Sequence, residues 1–311
     1  MAYDPQVQAL LDELIASARP SSKSLPLEQG RRSFADLFAS LMATAEVAAV
    51  EDRTIPGPAG ELPMRIYRPA LADRLPVTVY FHGGGWVFGD IETHDGACRQ
   101  LAKASGALVV SVDYRRPPES PFPAPLDDCY AATRWVYEHA AEIGADPARL
   151  AVAGDSSGGT LAAATALKAR DSGTPPIAFQ LLLFPATAAA FSTPSYVEFA
   201  DDAFLSKDEM LWYWGRYLAS PDDARHPYAS PLYAESLAGL PPALIITCEY
   251  DPLRDDGEQY AARLRAAGVE TCVKRYAGMV HGFMLMGRKI DAAQAAFDEA
   301  GRALREALSR P

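Results

Sequence analysis

Two stretches decide how this chain folds: Val77-Thr78-Val79-Tyr80-Phe81-His82-Gly83-Gly84-Gly85-Trp86 and Leu150-Ala151-Val152-Ala153-Gly154-Asp155-Ser156-Ser157-Gly158-Gly159. Each is an apolar, strand-like run that ends in glycine. The second fits G-x-S-x-G, a serine carried on a tight turn from strand to helix. The first fits H-G-G-G, a loop that presents backbone N–H groups to a developing oxyanion. A nucleophile and a stabiliser, each at a strand end, predict an α/β sheet and acyl-transfer chemistry.

A serine nucleophile needs a base, and the base needs an acid to orient it. In this kind of sheet the chain order is serine, acid, histidine. Only His226 and His281 follow Ser156. His281 stands just past a predicted strand, whereas His226 lies inside a long insertion and reads as a turn or surface residue. His281 is therefore the expected base. Ile245-Ile246-Thr247-Cys248 runs into Glu249-Tyr250-Asp251-Pro252, which puts Asp251 at a strand end before a proline. Asp251 is the expected acid and Glu249 its rival. Asp255 and Asp256 suit the N-terminus of the next helix, where carboxylates favour the helix dipole.

The N–H groups of Gly83, Gly84 and Ser157 are the expected oxyanion donors. A phosphate loop is the competing reading of the three glycines, but neither G-x-G-x-x-G nor a Walker lysine is present. The five histidines, at 82, 94, 139, 226 and 281, form no H-x-x-x-H or H-x-x-E-H pair, so no metal site and no cofactor are expected. His82 reads as a hydrogen-bonding strut for the glycine loop.

The chain has 311 residues, 49% of them apolar, enough for a large core. With 29 Lys and Arg against 40 Asp and Glu, its net charge of −11 speaks against a nucleic-acid partner. The cysteines at 98, 129, 248 and 272 form no C-x-x-C, and all four read as buried free thiols of a reducing compartment. The N-terminus has no basic leader, and the longest apolar run, residues 181–191, is too short for a membrane helix. A cytoplasmic protein is expected, with no membrane partner and as a monomer or homodimer.

Two apolar stripes at helical spacing open the chain: Val7, Leu10, Leu11, Leu14, Ile15, and then Phe34, Leu37, Phe38, Leu41, Met42. Residues 47–68 read as a hairpin around Pro56-Gly57-Pro58-Ala59-Gly60. Strands are then expected near 77–82, 107–113, 150–154, 177–184, 243–248 and 271–276. Helices are expected near 95–105, 125–141, 157–170, 254–267 and 290–309. This alternation predicts a mostly parallel sheet covered on both faces. Almost sixty residues separate the strands ending near 184 and starting near 243, on the edge where such sheets bind ligands. They hold Phe204, Leu205, Trp212 and Trp214. With Trp86, Phe88 and Phe283 these are expected to wall a short substrate pocket. The competing reading of the insertion is a helix packed for stability alone.

Taken together the strings resemble the hormone-sensitive-lipase-like carboxylesterases of the α/β-hydrolase superfamily. The likeness spans roughly residues 47–310. It includes His94-Asp95-Gly96-Ala97-Cys98-Arg99, Asp113-Tyr114-Arg115, Glu119-Ser120-Pro121-Phe122-Pro123-Ala124, Tyr228-Ala229-Ser230-Pro231-Leu232 and His281-Gly282-Phe283. The resemblance implies an eight-stranded, mostly parallel sheet. It also implies a helical cap from residues 1–46 with an insertion at about 188–225, on a catalytic domain of residues 47–311. It implies hydrolysis of small carboxylic esters with short to medium acyl chains through an acyl-enzyme, without a cofactor. Its triad falls on Ser156, Asp251 and His281. The same machinery serves a lactone or an amide, and some relatives of the fold are ligand receptors, which typically lack the histidine. There are departures. Ser157 stands where alanine is common, Arg116-Pro117-Pro118 where Leu-Ala-Pro is usual, and Asp256 where glutamate is common.

Overall fold

The computed structural model describes residues 2–201 and 204–309. Two helices come first, α1 (Pro5–Ala16) and α2 (Leu27–Leu41), and then the hairpin β1 (Ala49–Gly57) and β2 (Gly60–Arg68). The alternating body follows as β3 (Leu75–Phe81), α3 (Asp95–Ser105), β4 (Leu108–Val112), α4 (Ala124–Glu138), β5 (Ala145–Asp155), α5 (Ser157–Ser172) and β6 (Phe179–Leu183). The chain ends with α6 (Pro194–Glu198), α7 (Lys207–Tyr217), β7 (Ala243–Tyr250), α8 (Arg254–Ala266), β8 (Thr271–Val280) and α9 (Ala292–Leu308). All the elements expected from the pattern are present. β5 starts earlier than expected and β8 runs on to Val280, which delivers His281 at its end.

The eight strands form one sheet in the order β1-β2-β4-β3-β5-β6-β7-β8. β1 and β2 pair antiparallel around Pro58-Ala59, with Gly57 opposite Gly60. β2 meets β4 antiparallel, and every later pairing is parallel. Central strands read as unbroken apolar runs because helices cover both faces; all five residues of β4 are buried. On one face Leu126, Cys129, Leu161, Leu167, Tyr260 and Leu264 bring α4, α5 and α8 onto the sheet. On the other, Cys98, Leu101, Phe297 and Leu304 bring α3 and α9.

One cysteine departs from expectation. Cys98, Cys129 and Cys248 are buried, but Cys272 is exposed. It lies on β8, the edge strand, whose first half alternates between half-buried and exposed residues.

The N-terminal helices are tied to the end of the sheet where the parallel strands finish. Asp4 caps α1, accepting from Gln6 N at 2.8 Å, and donates its own N–H to Gly278 O at 3.1 Å. Arg31 of α2 grips Glu119 with two nitrogens, at 2.7 and 2.8 Å, and donates to Val87 O at 3.1 Å. The unusual Arg116 donates to Gly89 O, so it braces the far end of the glycine loop. The capping box of Ser206 and Glu209 starts α7, and Ser21 donates to the same Glu209 at 3.1 Å, joining the two helical segments.

Candidate active site

Ser156 sits between β5 and α5 with φ +54° and ψ −120°, a conformation that non-glycine residues rarely adopt. Such a residue costs on the order of 1–3 kcal/mol and persists only where its surroundings over-determine it. Here Ser156 N donates to Leu183 O at 2.8 Å, and the helix behind it packs close to the sheet. A Cβ at Gly158 would lie 2.0 Å from Phe81 O, so only glycine permits that approach.

β8 brings His281 alongside, and the turn after β7 brings Asp251. His281 Nε2 lies 2.9 Å from Ser156 Oγ, and His281 Nδ1 lies 2.8 Å from Asp251 Oδ2. Asp251 is fully buried and its other oxygen accepts from Leu253 N at 2.8 Å. A carboxylate only accepts, so Nδ1 carries the proton and the bare Nε2 faces the serine hydroxyl. Glu249, the rival acid, instead accepts from Gly278 N at 2.7 Å. His226, the rival base, accepts from Tyr228 N at 3.1 Å, away from Ser156. Asp255 and Asp256 lie in the first turn of α8 and accept from Ser195 N and Thr187 N, holding the insertion down.

The glycine loop corrects one expected donor. Gly83 N–H is already used: it donates to Asp155 Oδ1 at 3.0 Å, with His94 Nε2 at 3.3 Å. Asp155, the unnamed residue of G-x-S-x-G, is buried and also accepts from Tyr80 OH at 2.7 Å. Burial alone would raise its pKa, but His94 and the Tyr80 hydrogen bond outweigh that and hold the carboxyl below its ordinary range. Gly83 is thus an anchor. Gly84, Gly85 and Ser157 line the cavity beside Ser156, and no hydrogen bond among the described residues occupies their N–H groups. The open donors are Gly84, Gly85 and Ser157.

His82 is the strut that its position suggested. It is buried, lies 2.9 Å from Gly83 O through Nδ1, and stacks on Tyr114 at 4.2 Å. Tyr114 OH donates to His82 O at 2.7 Å. Burial, helped by the nearby His94, depresses the His82 pKa to about 3, so the ring is neutral.

A cavity of about 400 Å³ opens over Ser156 and His281. Trp86, Phe204 and Leu205 line it as expected. Phe88, Trp212, Trp214 and Phe283 do not. Trp214 is buried against Trp86 at 4.5 Å, and Trp212 stacks on Phe88 at 5.7 Å. These rings fix α7 onto the glycine loop, which is the stabilising role weighed against a pocket role. Phe283 is buried beneath Phe184 and Tyr276. The sequence reading missed Tyr213, whose ring covers Gly85, and also Phe184, Phe34, Phe38 and Leu37. The stripe on α2 was a usable signal: its apolar side chains line the cavity rather than only filling the core. Among the described residues no three His, Cys, Asp or Glu side chains gather as a metal-ligand set.

A family model described as alpha/beta hydrolase fold matches residues 78–285. The esterase LipI of Mycobacterium tuberculosis is 48% identical over 264 residues, spanning 83% of this chain and 82% of that protein. An arylesterase of Saccharolobus solfataricus is 36% identical over 285 residues, spanning 91% and 93%. Among solved structures, a hyperthermophilic esterase from Pyrobaculum calidifontis superposes with a TM-score of 0.94 at 42% identity, covering 98% of this chain and 99% of that one. An ester hydrolase from the Lake Arreo metagenome, complexed with a bipyridine phosphonate derivative, gives 0.95 at 43% identity, covering 98% and 99%.

Proposed function

On the premise that this chain belongs to the hormone-sensitive-lipase-like carboxylesterases of the α/β-hydrolase superfamily, we propose how its site hydrolyses a carboxylic ester. The protein is a carboxylic ester hydrolase. Ser156 Oγ attacks the ester carbonyl while His281 Nε2 takes its proton, and Asp251 holds the imidazole in the required tautomer and stabilises its charge. The tetrahedral oxyanion rests on the N–H groups of Gly84, Gly85 and Ser157. His281 then protonates the departing alcohol, and a water molecule repeats the sequence on the acyl-enzyme. The single observation that carries this reading is the unbroken hydrogen-bonded line from Asp251 through His281 to Ser156.

Small esters of short to medium acyl length suit the mostly apolar cavity of about 400 Å³. The N-terminal helices and the stretch at about 188–225 act as a cap over a body made of the remaining chain, because α1, α2 and α7 all contribute to the cavity wall. No described helix is long and apolar enough to cross a membrane. Three buried cysteines and the acidic composition support a cytoplasmic protein, acting as a monomer or homodimer.

The test is active-site labelling joined to substitution. A fluorophosphonate is expected to label Ser156 alone, and Ser156→Ala to lose on the order of 10³-fold or more in kcat. Asp251→Asn is expected to cost up to about 10⁴-fold through the wrong tautomer. Labelling at another serine, or an active alanine variant, rejects the assignment.

A further inference from the structure

The three residues before Val87 share an uncommon backbone. Gly84, Gly85 and Trp86 have φ of +109°, +61° and +63°. Glycine adopts such angles freely, but Trp86 carries a Cβ and does not. Its indole ring is buried and stacks on Tyr217 at 4.2 Å, which fixes the side chain. The peptide needs its own restraint. That restraint comes from the nucleophile turn: Trp86 N donates to Ser157 Oγ at 3.0 Å, in a buried setting. The Ser157 hydroxyl also faces the Tyr114 phenol, which is tied to His82 O.

From this geometry we infer that the Ser157 side chain is a positioning residue for the oxyanion donors, locking the Gly84-Gly85-Trp86 backbone to the turn that carries Ser156. The inference rests on the esterase reading above and deepens it. Ser157 then acts twice. Its N–H is one donor, and its hydroxyl holds the loop that supplies the other two. An alanine here keeps the first role and removes the second. It leaves a buried N–H without an acceptor at the one strained non-glycine residue of the loop. Relaxation about Trp86 φ turns the Gly85–Trp86 peptide and carries the neighbouring donors off their aim. Substrate binding in the apolar cavity does not depend on those donors; the transition state does. The loss therefore falls on kcat and spares KM.

The experiment compares Ser157→Ala and Ser157→Cys with the parent enzyme on 4-nitrophenyl butyrate. Cysteine keeps the volume but is a weaker acceptor. The expected order of kcat is parent, then cysteine, then alanine, with alanine down roughly 5- to 20-fold and KM within about twofold. An alkyl trifluoromethyl ketone, which forms a tetrahedral adduct on Ser156, is expected to lose affinity by a similar factor. Stoichiometric fluorophosphonate labelling checks that each variant retains a competent site. Unchanged kcat in Ser157→Ala overturns the inference. So does a loss carried by KM, or an unchanged ketone affinity beside a lowered kcat. An inert Ser156→Ala beside a fully active Ser157→Ala rejects this inference alone, whereas an active Ser156→Ala rejects the esterase mechanism itself.

Discussion

Acid is expected to unfold this protein through His82, a residue that never meets substrate. In the unfolded chain its imidazole titrates near the ordinary value of about 6.5. In the fold, burial and the adjacent His94 and Arg116 depress it to about 3, against weaker support for the cation from Gly83 O and Asp90. The folded pKa is the lower one, so the unfolded state binds the extra proton. The stability that neutral His82 contributes is complete above pH 6.5 and is lost as pH falls toward 3. Each unit is worth about 1.4 kcal/mol, so pH 4.5 costs about 2.7 kcal/mol, or about 4 °C in Tm for a chain this size. Asp155 is also depressed, but its loss begins near its unfolded value, below pH 4.5. Asp113 and Asp256 are raised by burial and work in the opposite direction, gaining stability on acidification. A variant comparison removes these backgrounds. His82→Phe keeps the stack on Tyr114 and deletes the titration. Urea unfolding of both proteins at pH 7.0, 5.5 and 4.5 should show the parent falling more steeply, by about 2.7 kcal/mol over the range. Parallel curves would refute the claim that a buried neutral histidine supports the loop.

Two further outcomes follow from the loop and the cavity. Gly85→Ala places a Cβ 2.1 Å from the Tyr213 ring, and is expected to cost about 10²–10³-fold in kcat by displacing an oxyanion donor. Pairing it with Tyr213→Ala in steady-state assays should restore part of that loss, and no recovery would mean the ring is not the obstacle. Across 4-nitrophenyl esters from acetate to palmitate, kcat/KM is expected to peak at about four to eight acyl carbons, since each accommodated methylene adds about 0.8 kcal/mol until the cavity ends. Highest activity on palmitate would contradict a cavity that ends at that length.

The sequence made some parts of this site legible and hid others, and the division has a physical cause. Ser156, Asp251 and His281 each follow a strand, and chain order at strand ends is written in hydrophobic patterning. The structure brings those three side chains into one hydrogen-bonded line. Which glycine N–H faces the cavity is not written there. Gly83 is turned away by Asp155 and His94, partners 72 and 11 positions distant. The exposure of Cys272 was hidden for a similar reason, because an apolar-looking segment does not announce that its strand lies at the sheet edge.

The aromatic insertion shows the same boundary more sharply. Trp212, Tyr213 and Trp214 are consecutive, and a helix turns about 100° between neighbours, so they cannot share a face. Composition nominated the two tryptophans for the pocket. The phase of α7 decides otherwise: Trp214 enters the core against Trp86 and Tyr217, Trp212 leans on Phe88, and Tyr213 lies over Gly85. That phase is set by the capping box at Ser206 and by what the glycine loop offers for packing. The pocket wall and the oxyanion loop are therefore one packed unit. A substitution on α7 chosen to reshape acyl specificity will also move the donors at Gly84 and Gly85, so changes in KM and kcat at these positions should arrive together.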